Sequence, residues 1–445
     1  MTQAPATPKA LRRRHDREII ALAVPAFAAL VAEPLFLMAD SAIVGHLGTS
    51  QLAGLAIAAA LLMTAVSVFV FLAYATTAAV SRRVGAGDLP AAIRQGMDGI
   101  WLAIILGAAL VAVTLPATPW LVDVFGASDT ATPYAVTYLR ISSLGIPAML
   151  IVFAATGVLR GLQDTRTPLY VAVGGFTANA LLNVGLVYGA GLGVAGSAWG
   201  TVIAQYAMAV AYLVVVVRGA RKHHASLRPD AAGIRASAQA GVPLLVRTLS
   251  LRAVMLIATA VAARMGDAEV AAHQIVLSLW GLMAFALDAI AIAGQAIIGR
   301  HLGAGDTTGA RQVCRRMVQW GIASGVVFGL LLVALRPLLI PVFTGDSAVH
   351  DTLLPALLVV ALTQPVAGVV FVLDGVLMGA GDGPYLAWAM LLTLAVFTPV
   401  ALLVPALGGG LTALWWCMGL MMAVRMATLW HRTRSGRWIV TGATR

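Results

Sequence analysis

The stretch AEPLFLMADSAIVGHLG, residues 32–48, places two carboxylates, Glu33 and Asp40, among residues that are otherwise apolar or small. They are seven positions apart, two turns of an α-helix, so a helix here puts both on one face. A carboxylate in apolar surroundings holds its charge at a cost. It is eased by taking up a proton or by attracting a cation, and both events are reversible. Asp288 and Asp374 have the same character, each standing alone in a long apolar run. Other chemistry is not signalled. There is no Walker A sequence and no H-E-x-x-H. Gly191, Gly193 and Gly196 fit G-x-G-x-x-G, but no strand-like segment precedes them and no acid follows at the right distance. Cys314 and Cys417 are isolated, which argues against a disulfide framework or a zinc site. The expectation is therefore a protein without cofactor or metal, and not an enzyme, since no clustered nucleophile, base or metal set is present.

The elements that position these acids follow from composition. Hydrophobic residues are 60% of the 445, charged residues 11%, and mean hydropathy is +0.92. A soluble domain is nearer a quarter charged. This chain reads as a multi-pass membrane protein, all-α. Residues 167–217 and 383–424 contain no Asp, Glu, Lys or Arg, and each is long enough for two spans of ~20 residues. Extending this reading gives about twelve transmembrane helices. A barrel would instead show ~10-residue alternating strands. The apolar run from Ile19 is too long for a signal peptide.

The net charge of +11 raises the possibility of nucleic acid, but its distribution argues otherwise. Most Lys and Arg residues, Arg425 among them, fall in the tails and in the loops after even-numbered spans. Only Arg140, Arg247, Arg252, Arg264 and Arg336 fall elsewhere. That bias places both termini in the cytoplasm, with the chain in the cell membrane, its surplus charge facing the lipid headgroups and no nucleic-acid partner.

The sequence repeats at a shift of 218 residues: Val24-Pro25 matches Val242-Pro243, and Gly85-Ala86-Gly87-Asp88 matches Gly303-Ala304-Gly305-Asp306. Phe125, Pro147, Gly157, Gly161 and Asp164 match Phe343, Pro365, Gly375, Gly379 and Asp382. With about six spans each, the repeats enter the membrane the same way round and form the parallel-repeat class. The expected organisation is a basic tail over 1–18, an N-terminal six-helix lobe over 19–217 and a basic linker over 218–238. A C-terminal six-helix lobe over 239–430 and a basic tail over 431–445 complete it. VGAGD, LGAGD, GLQDTRTP and GAGDGP read as glycine turns whose Asp caps the next helix.

At these motifs the chain resembles the MATE (multidrug and toxin extrusion) family, in its DinF branch. The resemblance rests on residues 32–48, VGAGD, LRGLQDTRTPL, EVAAHQI, LGAGD and FVLDGVLMGAGD, which together span both lobes. It implies a two-lobed monomeric exporter of organic cations and other amphipathic small molecules, driven by a proton or sodium gradient. It also implies that Asp40 is the protonation site, that Pro25 marks a bend of the first helix, and that Asn179 and Thr201 belong to a supporting polar network. At Asn183 archaeal members carry an Asp. The sodium-coupled branch carries a Glu in its seventh helix, whereas residues 240–263 here hold no acid. Asp374 lies too late in its span to match that branch's second acid.

The repeat separates what the fold needs from what it does not. Asp40, Asn179 and Asn183 become Ala258, Phe397 and Ala401 in the second copy, and Glu33 becomes Leu251. Asp40 is thus the leading coupling residue with Glu33 second, supported by Asn179, Asn183 and Thr201. In the C-terminal half, Arg247 and Arg252 are the cations that could neutralise Asp288 and Asp374, in a substrate site or a structural ion pair. The reading is a proton-coupled antiporter. A sodium-coupled exporter of the same fold and a flippase for lipid-linked precursors remain alternatives, the latter wanting a cationic cavity.

Overall fold

The structure is a computed structural model that describes residues 8–444 apart from Ala127 and Thr344. Of residues 8–11, Glu33, Leu35, Phe36, Leu37, Ala39 and Ile340 only the backbone is described. The chain is helical throughout, without a strand among the described residues. Its first half comprises α1 (Pro8–Gly45), α2 (Thr49–Ser67), α3 (Phe71–Gly85), α4 (Leu89–Val124), α5 (Thr132–Ser143), α6 (Ile146–Gly161), α7 (Arg166–Val184) and α8 (Gly193–Lys222). The second half comprises α9 (Ala231–Ala263), α10 (Asp267–Gly303), α11 (Thr307–Phe343), α12 (Ser347–Gly379), α13 (Gly383–Ala406) and α14 (Leu411–Arg434). Among the described residues ten segments are long and apolar enough to cross a membrane, or eleven when α5 and α6, bent by 47°, count as one span. The apolar part of α1, residues 19–45, comes in addition. The all-α, multi-pass expectation is met.

The turns form for the reason their residues suggest. Gly87 (φ 80°) and Gly305 (φ 74°) adopt the left-handed conformation that ends α3 and α10. The Asp that follows caps the next helix: Asp88 accepts from the Ala91 amide at 2.9 Å and Asp306 from the Gly309 amide at 2.8 Å. Asp164 accepts from the amides of Arg166 and Thr167, both at 3.0 Å. GAGDGP is the exception. Asp382 makes no capping bond and instead receives the Arg432 guanidinium at 2.7 and 3.2 Å.

Two compact units make up the molecule. The N-terminal lobe is residues 28–241, and the C-terminal lobe is residues 8–27 with 242–443, as far as they are described. Membership changes within α1 and α9, at Phe27/Ala28 and Gly241/Val242. Those junctions lie beside the repeat-related prolines Pro25 and Pro243, each of which deletes a helical N–H. Within the C-terminal lobe, Asp16 of α1 takes Arg316 at 2.6 and 2.9 Å and the Trp320 indole at 2.9 Å, and Glu18 pairs with Arg300. Within the N-terminal lobe, Asp230 before α9 takes Arg94 at 2.6 Å, and Gln95 reaches Ser237 at 3.0 Å. These arginines hold the carboxyls of Asp16 and Asp230 below the usual range.

One close helix–helix contact occurs in both lobes. A side chain on Gly157 of α6 would strike the backbone of Ala73 in α3; one on Gly375 of α12 would strike Ala291 in α10. Ala73 and Ala291 are related by the same shift as the glycines, so the repeated glycine records a repeated backbone contact. Helices that cannot use water exclusion to associate depend on such close approach.

Candidate functional site

In the N-terminal lobe, α1, α5, α7 and α8 converge on Asp40, which is 5% exposed. Its Oδ1 accepts from the Asn183 amide of α7 at 2.6 Å and from the Ser197 hydroxyl of α8 at 2.7 Å. Its Oδ2 accepts from the Tyr138 hydroxyl of α5 at 3.2 Å. One helical turn before Asn183, Asn179 donates to Thr201 of α8 at 3.1 Å, and Thr201 lies one turn after Ser197. Local backbone features place these groups. Gly200 faces Asn183, and a side chain there would collide with the amide oxygen. A π-turn, Gly185–Gly189, ends α7 directly after Asn183 and Val184. Tyr138 is carried by the bent pair, whose break at Leu144 leaves a carbonyl that the Tyr206 hydroxyl takes at 3.0 Å. The Tyr138 ring packs into a buried apolar cluster with Val44, Leu55, Ala135 and Ala198.

The electrostatics are simple. Among the described residues no basic side chain pairs with Asp40, and every donor that meets it is neutral. The amide oxygens of Asn179 and Asn183 are buried without a hydrogen-bond partner. This is a buried carboxylate lacking a countercharge beside unused acceptors, an arrangement that a proton or a cation completes.

The structure brings together Asp40 and Asn183, and places Asn179 against Thr201, as the sequence suggested. It adds Ser197 and Tyr138. Ser197 had a signal, its spacing of four from Thr201; Tyr138 had none beyond its apolar setting. The side chain of Glu33 lies outside the described residues. Pro25 lies within α1, on the C-terminal-lobe side of the junction.

The C-terminal lobe is arranged differently. Asp374 of α12 is 4% exposed and binds Arg247 of α9, whose Nε donates at 3.2 Å and whose terminal nitrogen closes a second bond. The second cation is Arg425 of α14, at 3.1 Å, and not Arg252. Arg252 is exposed, for it lies five residues from Arg247, about 140° round the helix. Arg425 is 5% exposed and so leaves the cytoplasmic basic surplus in which its sequence position put it. Asp288 is half-buried on α10. His273 of α10 is buried, 3.3 Å from the Thr259 hydroxyl and with its ring 5.6 Å from that of Trp415.

Comparison with known proteins agrees with this architecture. The MatE family model matches residues 25–184 and 243–403, one stretch in each repeat. The chain is 32% identical to the Arabidopsis thaliana Protein DETOXIFICATION 44, chloroplastic, over 95% of this chain and 83% of that protein. It is 28% identical to the Escherichia coli DNA damage-inducible protein F over 95% and 94%. A crystal structure of a Vibrio cholerae MATE transporter mutant superposes with a TM-score of 0.87 at 21% identity, covering 96% of this chain and 99% of that one. With both repeats matched and relatives aligned along almost its whole length, the chain belongs to the MatE family and is a membrane-spanning transporter of small molecules rather than an enzyme.

Proposed function

We propose that the protein is a secondary antiporter that exports organic cations and other amphipathic compounds in exchange for protons. The observation that carries this reading is Asp40: a buried carboxylate, held by neutral donors alone, in a lobe whose sister does without it. Proton and cationic substrate would compete for the same negative charge. Protonation from outside would weaken substrate binding and reset the carrier, and movement of the two lobes would give alternating access. Family membership supports the export of structurally varied small molecules. Asymmetry of basic residues supports a cell-membrane location with both termini cytoplasmic, and the reading is of a monomer.

Flux measured in vesicles under an imposed proton gradient tests this, with cationic dyes and fluorescent lipids run side by side. Proton-dependent accumulation of dye is expected. Lipid movement without dye movement would replace the antiporter with a flippase.

A further inference from the structure

Two side chains of the N-terminal lobe lie one turn beyond the Asp40 network and each carry an oxygen without a partner. These are the Ser142 hydroxyl of α5 and the amide oxygen of Gln205 on α8, both buried without a hydrogen bond. Polar groups left so in a folded protein call for an explanation. Both continue a stripe that begins at Asp40. Tyr138 donates to Asp40 Oδ2 at 3.2 Å, and the hydroxyls of Thr201 and Ser142 stand beside its own. Ser142 is one turn past Tyr138 on α5 and Gln205 is one turn past Thr201 on α8, so each pair shares a face. The two helices run in the same direction, since Tyr138 meets Thr201 and Gly145 meets Gln205. At the bend between α5 and α6, a side chain on Gly145 would collide with the Gln205 amide oxygen, and the Ser142 carbonyl oxygen lies 3.2 Å from the same point. Burial falls along the stripe: Asp40, Tyr138 and Ser142 are each 5% exposed or less, whereas Gln205 is half-buried beside the exposed Tyr206. The other lobe has none of it. The repeat counterparts of Asp40, Tyr138, Ser142 and Gln205 are Ala258, Ala356, Val360 and Ala423, and α12 passes that level without a break.

We infer that Tyr138, Ser142 and Gln205 are the route by which a proton reaches and leaves Asp40, an inference that rests on the reading of Asp40 as the proton site. A hydroxyl both donates and accepts, so it can gain a proton on one side and lose one on the other. In loading, a hydronium ion at the surface of the lobe gives a proton to the Ser142 oxygen and becomes water. Ser142 gives its own proton to the Tyr138 oxygen, and Tyr138 gives its own to Asp40 Oδ2. One O–H bond forms and one breaks at each hydroxyl, so both end intact and Asp40 ends neutral. Release is the same sequence reversed. The Gln205 amide exchanges no proton; its oxygen accepts from the water and holds it against Ser142. The unpartnered state of Ser142 leaves its hydroxyl free to turn, which a relay needs after every transfer. Ser142 and Gln205 make no bond to Asp40, so they govern how fast the proton moves and not how tightly it is held.

The test separates rates from equilibria. Ser142→Thr and Ser142→Val add side chains of the same shape that differ by one hydroxyl, and Val360 occupies the related position in the other lobe. In vesicles holding the full chain, proton-driven uptake of ethidium should run near the wild-type rate in Ser142→Thr. It should be about tenfold or more slower in Ser142→Val and in Gln205→Leu. Ser142→Ala, which cannot overpack, should be as slow as Ser142→Val. The slow variants should slow further in heavy water, because proton transfer has become their limiting step. Ethidium binding to the purified protein should weaken on acidification with one midpoint in the wild type and every variant. Equal rates in Ser142→Val and Ser142→Thr, a wild-type rate in Ser142→Ala, or a shifted binding midpoint in Ser142→Ala would overturn the inference. Wild-type binding indifferent to pH would instead sink the reading of Asp40 itself, and this route with it.

Discussion

In the N-terminal repeat a buried carboxylate, Asp40, meets Asn183, Ser197 and Tyr138, all neutral; in the C-terminal repeat a buried carboxylate, Asp374, meets Arg247 and Arg425. One carboxylate is met by neutral donors and the other by two guanidinium groups. The scaffold beneath them is the same: Gly157 on Ala73 in one lobe, Gly375 on Ala291 in the other. At the positions related to the Asp40 site, the C-terminal lobe carries Ala258, Ala356, Ala401 and Trp415, and Trp415 fills its space against His273. Packing has been kept in both copies, whereas neither copy's polar site recurs in the other. A residue that differs between the copies is therefore free of the demands of the fold, and its presence calls for a chemical reason.

The largest effect is expected from Asp40→Asn. The amide keeps the size of the side chain but cannot exchange a proton. Uphill export driven by a proton gradient should be lost, and substrate binding should no longer weaken on acidification. The variant should still fold, because Ala258 occupies the related position in the other lobe. Unchanged, pH-dependent uphill export by Asp40→Asn would break the comparison and move attention to Glu33.

Ala258→Asp asks the reverse question. The new carboxylate would lack counterparts of Asn183 and Tyr138, which are Ala401 and Ala356 here, and an acid at mid-membrane costs about 2.5–3.5 kcal/mol on insertion scales. The yield of folded protein in the membrane should fall sharply, and whatever folds should keep its coupling through Asp40. A well-expressed variant with altered pH dependence would show that either lobe can couple, and that the donors around Asp40 are incidental.

Removing single donors should give smaller, graded effects. Ser197→Ala deletes a buried 2.7 Å bond and Tyr138→Phe a 3.2 Å one. A bond to a charged group contributes about 1.5–3 kcal/mol. Losing a donor to a carboxylate disfavours its charged form, so half-maximal efflux should move to higher pH, by about one unit for Ser197→Ala. Tyr138→Phe, with the longer bond, should move it less. A shift to lower pH in either variant would contradict the assignment of these hydroxyls as donors to Asp40.

Much of this was legible in the sequence, and the limits have physical causes. The fold class followed from the uncharged runs. The glycine turns followed from their residues, and Asp88, Asp164 and Asp306 cap the helices that follow them, Asp306 with one oxygen while the other meets His301. Asp382 fails to cap because Arg432 does reach it. Asp40 and Asn183 stood out because a polar group in an apolar span is rare and the repeat lacks both. Ser197 was hidden in a run of small residues, where serine is also a packing residue. Arg425 was hidden by arithmetic of another kind: near the end of a helix it counts toward membrane orientation, and nothing in the one-dimensional pattern says that its guanidinium turns inward to Asp374.

The smallest effect should come from removing sodium. A sodium site wants several hard oxygen ligands arranged around the ion with charge to compensate it. Asp40 supplies a single carboxylate, and its Oδ1 already receives two hydrogens, from Asn183 and Ser197. No group of three or more His, Cys, Asp or Glu able to hold a metal ion occurs among the described residues. The amide oxygens of Asn179 and Asn183 are further acceptors in this network without a partner, and they are neutral. A proton needs none of these ligands: it binds one carboxylate oxygen and turns an acceptor into a donor. Efflux in vesicles under a proton gradient should therefore run at nearly its full rate when all sodium is replaced by N-methylglucamine. A strict requirement for sodium, with proton-driven flux absent, would mean that the two lobes differ in ligand geometry rather than in proton chemistry, and would make Asp40 a cation ligand.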